Sequence, residues 1–244
     1  MYKTLREGQE LAIALRRELY RIEDIDIVIC PPYTLLAYLA DALETSNIVI
    51  GAQNMYWQDE GAFTGEISPL MLKDIGCKFV LIGHSERRQY FGETNESVNN
   101  KVKAALKHGL TPIVCVGETL SQRESGSTFK VLDDHIDNGL KEISEADISK
   151  IVIAYEPVWA IGTGKTATAQ QAQEAQKYIR DLLRKMYNND IADAVRIQYG
   201  GSVKPENILE LMAQPDVDGA LVGGASLKVE TFSEIVKKAA GVKK

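Results

Sequence analysis

The chain of 244 residues is sparing with cysteine and histidine, three of each. Cys30, Cys77 and Cys115 form no C-x-x-C pair, leave an odd number and sit in apolar or strand-like settings. That excludes a disulfide scaffold and a thiolate zinc site, and it suits reduced thiols in a cytoplasmic protein. His84, His108 and His135 are scattered without metal-ligand spacing, so no metal site is expected. There is no surplus of basic charge: the net charge is −6, which argues against nucleic acid or an anionic membrane surface as partner. No apolar run approaches membrane length, and the N-terminal stretch reads as an amphipathic helix, not a signal peptide. No linker or low-complexity tract divides the sequence, so one domain over residues 1–244 is expected. What is present is ordinary for a soluble globular protein, 45% hydrophobic and 25% charged.

Short β-branched apolar runs alternate with amphipathic stretches. The runs predict strands over 25–30, 47–52, 79–83, 111–116, 151–155, 195–199 and 219–222. The amphipathic stretches predict helices over 4–20, 34–43, 68–75, 93–108, 120–143 (with a break near Gly126), 168–187, 205–212 and 229–239. Strict alternation with buried strands implies a parallel sheet covered by helices. At this length a closed α/β barrel is the natural solution. Seven strands and eight helices are one strand short of an eight-stranded barrel, and the chain opens on a helix.

Barrels of this kind carry their chemistry at the C-terminal ends of the strands. His84-Ser85-Glu86-Arg87-Arg88 follows the third run, and Glu156 the fifth. Gly200-Gly201-Ser202 and Gly223-Gly224 follow the last two. Glycines after neighbouring late strands free backbone N–H groups to approach an anion, and a small phosphate ester fits that arrangement. Pro157 stops the fifth strand as a normal ladder member. The segment after it is stiff at Pro157, apolar through Ile161 and loose at Gly162 and Gly164, which fits a lid over the site. A carboxylate beneath a lid is well placed to act as a base. With an imidazole and a phosphate cradle nearby, proton abstraction beside a carbonyl is the implied chemistry. Singly, each of these residues has a plainer explanation as a turn or a satisfied polar group; their convergence on one end of a barrel favours a site.

Two nucleotide motifs fail on inspection. Gly164-Lys165-Thr166 has the ending of a phosphate-binding loop, but Trp159 stands where its first glycine belongs. Residues 162–167 match G-x-G-x-x-A by letters, yet Pro157–Ile161 separates them from the strand. A Schiff-base aldolase on the same scaffold needs a lysine at a strand end, and none of the seven runs ends in one.

Ile82-Gly83-His84-Ser85-Glu86-Arg87-Arg88, Ala154-Tyr155-Glu156-Pro157-Val158-Trp159-Ala160-Ile161-Gly162-Thr163-Gly164 and Tyr199-Gly200-Gly201-Ser202-Val203 resemble the triosephosphate isomerase family. Gly51-Ala52-Gln53-Asn54 and Leu221-Val222-Gly223-Gly224-Ala225 fit it too, and the resemblance runs the length of the chain. It implies a (β/α)8 TIM barrel that interconverts dihydroxyacetone phosphate and D-glyceraldehyde 3-phosphate through an enediolate, in glycolysis and gluconeogenesis. It assigns Glu156 as base, His84 as electrophile, and Gly162, Ser202, Gly223 and Gly224 as substrate-binding. It further implies a cofactor-free homodimer, in which the 55–66 loop docks into the partner subunit. Thr64 would approach the partner's site, and Glu66 would pair with Arg87 across the interface.

The family opens with a strand ending in Gly-Asn-Trp-Lys, which has no counterpart here. The expectation is a barrel lacking its first strand, with two exposed sheet edges. Glu86, which resembles the ion-pair partner of that lysine, would stand without it. A catalytically weak or inactive scaffold of the same fold is the alternative that this leaves open.

Overall fold

The computed structural model describes residues 1–161 and 166–242. Within them the chain runs α1 (Leu5–Leu19), β1 (Ile27–Ile29), α2 (Tyr33–Ala42), β2 (Ile48–Ala52), α3 (Pro69–Asp74), β3 (Phe79–Ile82), α4 (Ser85–Tyr90), α5 (Asn95–Lys107) and β4 (Thr111–Val116). It continues α6 (Leu120–Glu124), α7 (Thr128–Gly139), α8 (Glu145–Ile148), β5 (Val152–Tyr155), α9 (Ala169–Met186), α10 (Asn189–Ala194), β6 (Arg196–Tyr199), α11 (Ile208–Met212), β7 (Gly219–Ala220) and α12 (Val229–Ala240). All seven strands are parallel and lie in sequence order, β1 to β7. This is the α/β barrel arrangement that the alternation predicts, with β1 and β7 as the edges of the described sheet.

Alternation along the strands sorts the core into two layers. Leu81, Ile113, Cys115, Val152 and Ala154 point inward and pack on one another. Val80, Ile82, Val114, Ile153, Tyr155, Ile197 and Tyr199 point outward into the larger core beneath the helices. β5 is buried at every position, whereas β7 is only half-buried. The strand that carries the central carboxylate therefore sits in the most enclosed part of the sheet.

The helices number twelve among the described residues, not eight. The expected 120–143 helix divides at Gly126, which takes φ +72, into α6 and α7, with α8 a separate turn beyond. α4 and α10 are additional. Both are six residues long and bury a single residue, Ser85 and Ala192, so no apolar periodicity announces them. The longest, α9, begins with a capping box between Thr168 and Gln171 and buries Ala172, Ala175, Ile179 and Leu183 along one face. The last strand covers two residues of the four expected; Leu221 N–H still donates to Tyr199 O at 2.9 Å, but Val222 is already beyond the ladder.

Candidate active site

Gly83 makes the turn that brings His84 to the site. It takes φ +76, and a Cβ there would meet Val98 Cγ2 at 2.9 Å and Cys115 O at 3.2 Å. Both the backbone angle and the space demand glycine. The chain then enters α4 with His84 as its N-cap, and His84 Nδ1 accepts the Glu86 backbone N–H at 3.2 Å. An accepting Nδ1 leaves the ring proton on Nε2. The cap of a six-residue helix thus fixes the tautomer of the imidazole.

Glu156 arrives from the end of β5. Its N–H donates to Val116 O at 2.7 Å, so the backbone is still in register with β4. The side chain is only 2% exposed. Oε1 lies 3.0 Å from His84 Nε2, and Oε2 accepts the Ser85 N–H at 2.9 Å. A buried carboxylate needs such donors, and α4 supplies both from successive residues. Burial pushes the His84 imidazole down, while its hydrogen bond to Glu156 and the charges of Glu156, Glu86 and Glu93 push it up, and the net displacement is upward. A second proton at Nδ1 must displace the Glu86 N–H, so the same cap opposes full protonation. With Nδ1 accepting, the ring donates to Glu156 through Nε2.

A sequence profile described as triosephosphate isomerase matches residues 1–239. The triosephosphate isomerase of Carboxydothermus hydrogenoformans is 57% identical over 237 residues, covering 97% of this chain and 94% of the relative. That of Trichlorobacter lovleyi is 55% identical over 237 residues, with the same coverage. That of a Thermoanaerobacter species is 60% identical over 211 residues, covering 86% and 85%. The chain belongs to the triosephosphate isomerase family.

The late strand exits complete this end of the barrel. Gly200 N–H donates to Tyr155 O at 2.7 Å, and a Cβ at Gly200 would lie 2.9 Å from Glu156 Cγ. Ser202 is half-buried, its carbonyl held by Asn207 Nδ2 at 2.9 Å. Gly223 and Gly224 are exposed at the start of a 3₁₀ turn, with open space where a side chain would stand. Gly162 lies outside the described residues. The Glu86 carboxylate projects outward, 67% exposed, with His84 Nδ1 4.0 Å away.

The sequence did not point to Glu118. It is fully buried past the end of β4 and accepts Trp159 Nε1–H at 2.9 Å, Tyr155 O–H at 3.1 Å and Arg123 Nη1–H at 3.1 Å. Arg123 also lies over the Trp159 ring, 4.7 Å from its centroid. The apolar segment after Pro157 is therefore moored at its first turn by a carboxylate from the neighbouring strand. The Gly-Glu-Thr after an apolar run was the available signal, since a strand exit with an acid is a site candidate in any barrel.

Thr64, Glu66 and Arg87 do not join Glu156. Thr64 and Glu66 are exposed in the second half of the 55–66 loop. Arg87 Nε lies 3.2 Å from Glu93 of its own chain, and Glu93 also pairs with the buried Lys101. Tyr56 stacks on Trp57 at 4.0 Å and meets Phe63 in a tilted contact at 4.6 Å, while Asp59 ties the loop to His108 at 2.7 Å and Lys107 at 2.9 Å. The loop is built, yet Phe63 remains 41% exposed.

Proposed function

We propose that this chain interconverts dihydroxyacetone phosphate and D-glyceraldehyde 3-phosphate, with Glu156 as the base and His84 as the electrophile. The observation that carries the reading is the buried Glu156 carboxylate 3.0 Å from the proton-bearing Nε2 of His84, in a chain of this family. That division of labour is the one established for the family. When a triose enters, its carbonyl oxygen takes the Nε2–H that Glu156 now accepts, and the freed carboxylate removes the proton on the adjacent carbon. The imidazole then passes its proton between the two oxygens of the enediolate. Glu156 returns the carbon proton to the neighbouring position. General-base catalysis of this sort contributes about 10²–10⁴-fold.

Gly162, Ser202, Gly223 and Gly224 hold the phosphate in this reading, chiefly through backbone N–H groups. No cofactor is required, because the acid, the base and the anion cradle all come from the chain. The protein works in the cytoplasm as a homodimer, with Thr64 near the partner's site and Glu66 facing Arg87 across the interface. The half-exposed Phe63 on an otherwise ordered loop supports that docking. Aldolase chemistry is disfavoured: among the described residues no strand carries a lysine, and the buried Lys101 belongs to α5.

The test is isomerisation of glyceraldehyde 3-phosphate, followed by a coupled reduction of the product, with sedimentation run on the same sample. Turnover that vanishes when the substrate phosphate is removed supports the reading. A folded protein that leaves both triose phosphates unchanged contradicts it.

A further inference from the structure

The exits of β4 and β5 run side by side beyond the regular ladder. Glu156 N–H donates to Val116 O at 2.7 Å, and Val158 N–H donates to Glu118 O at 3.1 Å. Gly117 lies between these two bonds. A Cβ there would fall 1.8 Å from the Glu156 carbonyl oxygen, 2.6 Å from its carbonyl carbon and 3.2 Å from its Cα. No other glycine among the described residues meets neighbouring backbone so closely. Gly117 is not in the left-handed region, so space alone demands glycine here. Its own N–H points away from the ladder and donates to His135 Nδ1, on α7, at 3.3 Å.

We propose that Gly117 and His135 are positioning residues for the base: Gly117 lets the Glu156 backbone press against the exit of β4, and His135 holds Gly117 in that place. The inference rests on the reading of Glu156 as base and adds two residues to it. Around His135, Arg88 of α4 and the neighbouring Asp134 are the charges that act on the ring. Burial, aided by Arg88, pushes the imidazole down to about 4, so Nδ1 keeps its lone pair for the Gly117 amide at neutral pH. Arg88 is itself tied to the exits of β3 and β4 through Gly83 O at 2.8 Å and Cys115 O at 3.4 Å. A methyl at 117 would force the Glu156 peptide away from β4, and the carboxylate would leave His84 Nε2 and the Ser85 amide.

Three variants test this: Gly117→Ala, His135→Leu and His135→Asn. An Asn Oδ1 stands near the position of Nδ1 and keeps the acceptor; Leu removes it. Each is assayed for kcat and KM, and the ¹H–¹⁵N resonance of Ser85, whose amide donates to Glu156 Oε2, is recorded in the same samples. Gly117→Ala is expected to lower kcat by about a hundredfold with KM within about threefold, as a displaced base does. His135→Leu is expected to lower kcat by about tenfold and shift the Ser85 resonance, and His135→Asn to restore both. The proposal is overturned if Leu and Asn at 135 behave alike, or if folded Gly117→Ala keeps its kcat and its Ser85 resonance. Should Gly117→Ala fail to fold, the His135 pair decides alone. Should the wild-type chain prove inactive, the functional reading fails, and the Ser85 resonance still decides this one.

Discussion

At the residue scale the site turns on which atom of His84 holds its proton. The Glu86 N–H occupies Nδ1, and Glu156 accepts from Nε2, so both nitrogens are committed before any ligand arrives. The Glu156 hydrogen bond and charge are the leading influences that raise the His84 pKa against burial. Replacing that carboxylate with an amide removes its charge, and the sign follows: in Glu156→Gln the His84 pKa falls. Titration of the His84 ring proton by NMR in both proteins measures it, and an unchanged or higher value would show that Glu156 does not govern the ring. Glu156 and His84, which the fold brings within 3.0 Å, could be picked out because each stands immediately after an apolar run. Ser85 was not legible as a donor, since its contribution is a backbone amide that any residue could supply. Nor was the demand for glycine at 117, which comes from a strand 39 positions away in the chain, between residues 117 and 156.

At the scale of elements, strands were easier to place than helices. Most strands are largely apolar runs, β6 with Arg196 and Gln198 being the exception, and the fourth matches its expected limits of 111–116 to the residue. Short polar helices such as α4 carry no periodic stripe and are held by caps and turns, which leave little trace in composition. Tertiary ties between elements were equally silent. Arg180 of α9 illustrates one: its guanidinium donates to Asp216 at 2.7 Å, Asp218 at 2.6 Å, Ala192 O at 2.7 Å and Val195 O at 3.0 Å. It binds α9 to the end of α10, the approach to β6 and the turn before β7. Arg180→Leu removes a nearly buried cation from between two carboxylates and is expected to cost about 3–5 kcal/mol. Urea unfolding measures this, and a loss below about 1 kcal/mol would mean that the tie is that of a surface ion pair.

At the scale of the molecule, the alternation of runs and stripes was enough to give the barrel class, because a parallel sheet leaves few ways to bury both faces. The sheet is not equally enclosed around its course: β3 to β5 are flanked by strands on both sides, while β1 and β7 are edges of the described sheet, β1 buried at Ile27 alone and β7 half-buried. The helices nonetheless meet outside those edges, where Lys237 of α12 pairs with Glu18 of α1 at 2.7 Å. Amide hydrogen exchange is therefore expected to be faster in β1 and β7 than in β4 and β5, as local opening is easier where fewer neighbours must part. Equal protection throughout would show that the edges are covered in solution. In the proposed function the whole arrangement serves one act, the removal of a carbon-bound proton by Glu156. The most direct measurement is NMR detection of solvent deuterium entering C1 of dihydroxyacetone phosphate, for the wild type and for Glu156→Gln. The account predicts incorporation by the wild type and a loss of about 10³-fold in the variant, whose fold is unchanged. Incorporation by Glu156→Gln within threefold of the wild-type rate would contradict it.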